Sequence, residues 1–505
     1  MKPHRATVLF LLAAACFADD PRTSHREWQI YHGDYGGSHY SELDEINRTN
    51  VKQLEVAWIY RTGESGPTIE CNPIIIDGVM YVTTPKIHLV ALNAVTGKPL
   101  WQFDPWLGKG GGGVNRGVSY WTDGGDDRRI FLSAGSHLWA IDARTGRPVA
   151  SFGKEGRIDL RDGFDQDIFF LSVGNNTPGL VWKDLIIMGS AVGEGPSPAA
   201  PGHIRAFDVR TGVRRWIFHT IPHPREFGYE TWSPDSWKKV GGANCWGGLT
   251  LDAGRGIVFL GTGSASYDHW GGNRIGQNLF ANCTLALDAN TGRRIWHFQA
   301  VHHDLWDYDL PTPPVLVRLQ RDGKWIDAVA QPTKMGHVFV LERETGKPVF
   351  PVEEVPVPQS KMPGERSWPT QPFPPGFLRL AQQRMDESNV TDLNDRAREK
   401  AMSDLKGMIP GDVFIPPGFG KSVALPQFNG GSEWGGAAFD PESSTVYVNV
   451  SNEAEWISMT QARPKDDMSL NELGAHLYHV ICSYCHGLGT PVNPASPSLK
   501  GVNQR

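Results

Sequence analysis

The sequence lacks any long run of one charge. Its 505 residues carry 49 Lys and Arg against 55 Asp and Glu, a net charge of −6. No basic stripe forms, which argues against a nucleic acid partner. Beyond the N-terminus no stretch of 18 apolar residues occurs, so the mature chain is expected to be soluble, without a transmembrane helix. Cysteine is scarce: of six, Cys71, Cys245 and Cys283 lie far apart with no metal-ligand spacing.

Glycine and proline are abundant, 57 and 37 residues, which favours tight turns over long helices. The 18 tryptophans suggest repeated structural units. The N-terminus, MKPHRATVLFLLAAACFADD, has a basic start, an apolar run and then small residues. That is a secretory signal pattern, expected over residues 1–18 with cleavage after Ala18. A lipoprotein reading, with Cys16 acylated, is the alternative.

Five segments share one design: VALNAVTGKPLWQF (Val90 to Phe103), WAIDARTGRPVASF (Trp139 to Phe152), RAFDVRTGVRRWIF (Arg205 to Phe218), LALDANTGRRIWHF (Leu285 to Phe298) and FVLERETGKPVFPV (Phe339 to Val352). Each reads as a strand, a polar turn closing on Thr-Gly, and a second strand. The glycine supplies positive φ and the threonine can bond back to the turn backbone. The spacing suits four-stranded blades, and WGGAAFDPESSTVYVNV (Trp434 to Val450) is a sixth related unit. Radial repetition of this kind gives an all-β propeller over residues 26–460, with an open stacked array as the alternative. Pro351 to Pro375 is expected to be an extended loop, and Thr391 to Leu405 a surface helix.

Six separated motifs stand between and within these units: VNRGVSYW around Arg116, GSAVGEG around Glu194, CWGGLTLD around Trp246, GTGSASYDHWGGN around Ser264, HHDLWDYD from His302 to Asp309, and QPTKMGHVFVLERETG around Lys334. In this order they resemble the pyrroloquinoline quinone (PQQ)-dependent quinoprotein dehydrogenases, over nearly all of Trp28 to Val450. The resemblance implies an enzyme acting on CH–OH groups, with PQQ and calcium on the propeller axis. It gives Asp307 as the general base. Arg116 would pair with a PQQ carboxylate, Trp246 would stack on the quinone face, and Lys334, 27 residues after Asp307, would contact the PQQ carbonyls. Glu194 and Ser264 fall at the calcium-ligand positions, although relatives usually offer asparagine where Ser264 stands.

The residue chemistry agrees with those roles. Alcohol oxidation needs a base for the hydroxyl proton and an acceptor for the hydride. A guanidinium fork suits a planar carboxylate, an indole suits a flat ring, and calcium prefers hard oxygen ligands. Blander readings stand beside each: a surface arginine, a solvated glutamate, a core tryptophan of a blade, a serine in a polar turn, or zinc for the histidine-rich stretch. Asp304 and Asp309 are expected to brace the loop. His302 and His303, if on a strand, point opposite ways, so at most one faces the site.

The chain departs from the methanol-oxidising members, whose adjacent cysteine pair is replaced here by KGGGG (Lys109 to Gly113). HHDLWDYDLP is closer to the branch oxidising sugars and cyclic polyols. Lanthanide-using relatives carry an extra acid near the base, and Asp309 occupies roughly that place. The tail holds Cys482-Ser483-Tyr484-Cys485-His486, a C-x-x-C-H spacing that resembles c-type cytochromes and implies haem c, with His486 as iron ligand, as against a simple disulfide.

The last methionine, Met468, precedes that motif, so residues 465–505 are expected to form a partial, helical cytochrome c segment after six or so blades of an expected eight. The chain reads as the front of a longer protein. The resulting expectation is a periplasmic quinohaemoprotein dehydrogenase passing electrons to a respiratory acceptor. Its rivals are a non-catalytic propeller scaffold of the outer-membrane assembly type and an inactive electron-transfer remnant.

Overall fold

The computed structural model describes residues 28–478, apart from 67, 167, 169–170, 196–197, 410 and 461–466. The expected signal at residues 1–18, with Cys16, and the haem motif of Cys482, Cys485 and His486 lie outside the described residues.

Three of the five Thr-Gly units form the expected two-stranded hairpin, at residues 90–103, 205–218 and 285–298. In the other two the expected second strand is reduced to a single bridge at a proline, Ile141 with Pro148 and Leu341 with Pro348. The units sit in antiparallel sheets. The first four sheets have four strands: Ile74–Ile76 to Pro99–Phe103, Ser119–Thr122 to Arg157–Asp159, Leu180–Trp182 to Arg214–Phe218, and Leu249–Asp252 to Arg294–Gln299. The fifth has three strands, Val315–Arg321, Lys324–Pro332 and Val338–Glu342. The sixth unit contributes the pair Ala437–Asp440 and Thr445–Val448. Alternating apolar residues bury both faces, and the cores lie between successive sheets. Ile74, Leu89, Leu132 and Trp139 join the first sheet to the second, and Ile187, Ala206, Leu260 and Leu285 join the third to the fourth. Sheets stacked face to face around such cores are the blades of a propeller.

The repeat has a physical reason at its turn. Asp208 and Asp288 accept, through Oδ1, the backbone N–H groups of Thr211 and Thr291 at 2.9 Å and also their hydroxyls. The acid thus braces the turn, while the threonine oxygen takes the N–H two residues on. Gly292 then has φ +70° and lies flat under the Trp216 indole of the preceding blade, where a Cβ would come within 2.4 Å. The indole N–H of Trp216 donates to Ala289 O at 3.3 Å. Trp58, Trp101 and Trp296 make the same contact with Ala94, Ala143 and Arg343. Three outer-strand tryptophans thus lock their blade to the next blade's turn, and Trp58, from the segment before the first sheet, docks on the first blade's turn in the same way.

One expectation changes and another is trimmed at its start. Pro351 to Pro375 is not merely an extended loop, because Glu353–Pro356 pairs with Thr370–Phe373; prolines are tolerated at such a narrow, two-stranded edge. The surface helix runs over Asp395–Leu405, capped by the Asn394 side chain on Ala397 N, and buries no residue. A second short helix, Leu470–Leu477, starts at a Ser469–Glu472 capping box. Among the described residues no helix is long and apolar enough to cross a membrane.

Candidate active site

The stretch His302 to Asp309 follows the fourth blade and is a folded loop, not a strand. His303 and Asp307 take left-handed backbone, with φ of 45° and 60°. Asp304 causes the fold: its carboxylate accepts the N–H of Trp306 at 2.8 Å and of Tyr308 at 2.7 Å, wrapping the backbone around residue 307. Trp306 is anchored on Ile415 O and packs on Phe414. The strand argument for the two histidines therefore does not apply, and both are buried. His302 is held by Gln299 and Glu354, and His303 by Asn278.

Held this way, Asp307 meets Lys334, which follows the central strand of the fifth blade. Lys334 Nζ lies 2.9 Å from Asp307 Oδ2 and 3.4 Å from Asp309 Oδ2. Gly430, at φ +98°, lets its backbone close over the lysine stem, where a Cβ would sit 2.6 Å from Lys334 Cγ. Asp309 is the joint of the site. Its Oδ2 accepts the Trp246 indole N–H at 2.7 Å and its Oδ1 the Ser264 N–H at 2.6 Å. Trp246 is half-buried, with Lys334 Nζ 5.8 Å and Arg116 Cζ 5.4 Å from its ring centroid. Residues 116, 246, 264, 307, 309 and 334, brought from distant parts of the chain, thus share one place.

Arg116 is buried and pairs with Glu70 at 3.1 Å, with Nη1 donating to Thr177 Oγ1 at 3.3 Å. It also lies 4.7 Å from the Trp434 ring. Thr177 in turn donates to Trp246 O at 2.7 Å, so Arg116 and the indole are positioned by one hydroxyl. Ser264 Oγ bonds to the Asp304 carboxylate, and Asn282 Nδ2 donates to the same oxygen at 2.8 Å.

The site gathers acids faster than it gathers cations. Burial raises the pKa of Asp307 well above the usual carboxylate range; Lys334 lowers it, and Asp309, Asp268 and Glu194 raise it further. Glu194 is raised by burial and by Asp309. Asp268 is raised well above the usual range by burial, then by Glu194 and Asp309. Burial works against the Lys334 ammonium, but Asp307, Asp309 and Glu433 outweigh it and hold its pKa well above the ordinary value. Such a surplus of buried carboxylate calls for a further positive charge. The donors are hard oxygens, and the buried Asn282 Oδ1 has no partner. This donor set fits a calcium-like ion. The half-buried Trp246 indole, with Arg116 and Lys334 over its ring, fits a flat anionic ring.

Several members were not singled out from the sequence. Asp268 stands four residues after Ser264 in the same glycine-rich loop, and its proximity to Glu194 depends on two blades meeting. Trp434 was read only as the start of a repeat, and Glu433 just before it was not read at all. Glu70 carried no motif at all.

A family model described as the β-propeller domain of PQQ glucose/ethanol/alcohol dehydrogenases matches residues 28–479. The chain is 31% identical over 478 residues to a quinate/shikimate dehydrogenase (quinone) of Acinetobacter baylyi, covering 88% of this chain and 59% of that protein. It is 33% identical over 474 residues to a quinoprotein glucose dehydrogenase of Gluconobacter oxydans, covering 87% and 57%. Among solved structures, the quinohemoprotein alcohol dehydrogenase of Comamonas testosteroni superposes with a TM-score of 0.61 at 26% identity, covering 84% of this chain and 57% of that one. The chain therefore spans less than two thirds of the length of these relatives.

Proposed function

We propose, from the premise that this chain belongs to the PQQ-dependent dehydrogenase family, that it oxidises a CH–OH group of an alcohol, polyol or sugar with Asp307 as general base. The observation that carries this reading is the convergence of Asp307, Lys334 and Trp246 around Asp309. When bound, PQQ would supply the two-electron acceptor and calcium the Lewis acid that polarises it.

The chain's own residues would divide the remaining work. Asp307 would take the substrate hydroxyl proton; its buried setting makes it a stronger base than a surface aspartate. Lys334 orients that carboxylate and presents positive charge to a carbonyl oxygen at the same place. Trp246, fixed through its N–H, offers the platform, and Arg116 the fork for a carboxylate. Glu194, Ser264 and Asp307 would hold the cation, with Asp268 and Asn282 beside them. Both oxygens of Asp309 already accept donors, which favours calcium over a lanthanide that would need a further free carboxylate.

Cys482, Cys485 and His486 would bind haem c and give single electrons an exit toward a respiratory acceptor. Covalent haem attachment and the N-terminal signal pattern together support a periplasmic location. The relatives named for glucose and quinate favour a sugar or cyclic polyol as substrate.

The test is reconstitution of the purified chain with PQQ and Ca²⁺, followed by dye reduction with a panel of alcohols, polyols and sugars. Activity requiring both additions is expected. PQQ binding without turnover on any substrate would point to a remnant, and no PQQ binding to a scaffold.

A further inference from the structure

Outside this site, the outer rim of the third blade carries three histidines whose ring nitrogens lie within 4.8 Å of one another: His203, His219 and His223. The fold places them deliberately. Ile204 pairs with Phe218 across the two outer strands of the blade, so the residues just beyond, 203 and 219, fall side by side. His223 returns through a turn closed by Glu226, whose N–H donates to His223 O at 3.0 Å and whose carboxylate accepts the His223 N–H at 2.8 Å. The His219 and His223 rings then stack at 3.8 Å, and His203 meets His219 edge-on at 4.7 Å.

What lies behind the rings is as informative. Glu226 Oε1 accepts from His219 Nδ1 at 2.8 Å, and Asp165 Oδ2 lies 3.6 Å from His223 Nδ1. The Glu226 carboxylate fixes the His219 proton on Nδ1 and leaves its Nε2 with a free lone pair, the arrangement found behind metal-bound histidines, whereas Asp165 is beyond hydrogen-bond distance of His223 and acts on it through charge alone. His203 is fully buried and receives the Thr220 N–H on Nδ1 at 3.2 Å, one long bond that a ligand would displace or turn. Burial holds the His203 and His223 pKa values below that of free imidazole, with His219 lowering both further. Arg205 and Arg214 act on His203 as positive charges, which moderates affinity for a dication, while Glu226 and Asp165 offset them.

We propose that His203, His219 and His223 form a binding site for a borderline divalent transition metal of the zinc class, with the fourth position left to water. Three imidazoles suit zinc or cobalt and exclude calcium, which takes oxygen ligands. The site is separate from the axial acid cluster. It sits on the same end of the blade as the Glu194 loop, because Met188 pairs with Arg205, but on the outer strands.

The full chain, stripped with chelator and saturated with Ca²⁺, is dialysed against Zn²⁺ and its bound zinc is counted. Wild type is expected to retain one equivalent more than the His219→Ala/His223→Ala variant. Glu226→Gln is expected to weaken that equivalent by about tenfold or more. Equal zinc content in wild type and the double variant overturns the proposal. Should the double variant not fold, Co²⁺ added to wild type decides: visible ligand-field bands of a histidine-bound, low-coordinate ion are expected, and their absence overturns it.

Discussion

At the scale of single residues, burial decides which groups carry charge. His337 lies among Phe339, Phe373 and Phe414. Its Nε2 is bonded to Gln383 at 2.7 Å and its Nδ1 has no partner. Burial, then Arg379, pushes its pKa down to about 4. The unfolded chain binds that proton near pH 6.5 and the folded chain near 4, so stability is full above 6.5 and is lost as pH falls toward 4. His337→Gln removes the loss. Denaturation midpoints of wild type and variant should therefore converge by about 1–2 kcal/mol between pH 7.5 and pH 5. A constant difference between the two proteins would show that the imidazole is not held neutral by the fold.

At the scale of elements, the contact that repeats is an indole of one blade over a turn glycine of the next. Gly292→Ala would force a Cβ to within 2.4 Å of Trp216 in left-handed backbone, and Trp216→Ala would empty that place. Expected losses are about 1–3 kcal/mol for the first and about 3–5 kcal/mol for the second, read from urea midpoints. A much smaller loss in the double variant than in the sum would confirm that they share one contact. The hairpins were legible in the sequence because strand alternation and Thr-Gly are local signals. The side chain that braces the turn was equally local, an asparagine at Asn93 and an aspartate at Asp208 and Asp288. The pairing of the Pro351 to Pro375 segment was not legible, since a partner strand 17 residues on leaves no periodic trace. Nor was the left-handed backbone at Asp307, which depends on where Asp304 points. The rim histidines 203, 219 and 223 were missed for a similar reason: only the pairing of Ile204 with Phe218 makes them neighbours.

At the scale of the whole molecule, the acid cluster joins elements far apart in the chain. Glu194 comes from a third-blade loop, Ser264 and Asp268 from the fourth blade, Asp304 to Asp309 from the following loop, Lys334 from the fifth blade and Glu433 from the start of the sixth unit. Motif order made most of this site legible, but the surplus of carboxylate emerges only when the blades are assembled. A cation there would tie several blades together. Calcium at about a hundred times its dissociation constant should stabilise the chain by about 2.7 kcal/mol, seen as a raised thermal midpoint that a calcium chelator reverses. Magnesium, smaller and bound to fewer flexible carboxylates, should do less.

The most direct measurement of the central claim is the turnover of Asp307→Asn after loading with PQQ and Ca²⁺, set beside its PQQ content. The expected result is wild-type PQQ content with kcat lower by about 10²–10⁴-fold, the contribution of a positioned base. Turnover equal to wild type at equal PQQ content would contradict the assignment of Asp307 and the account of the site built around it.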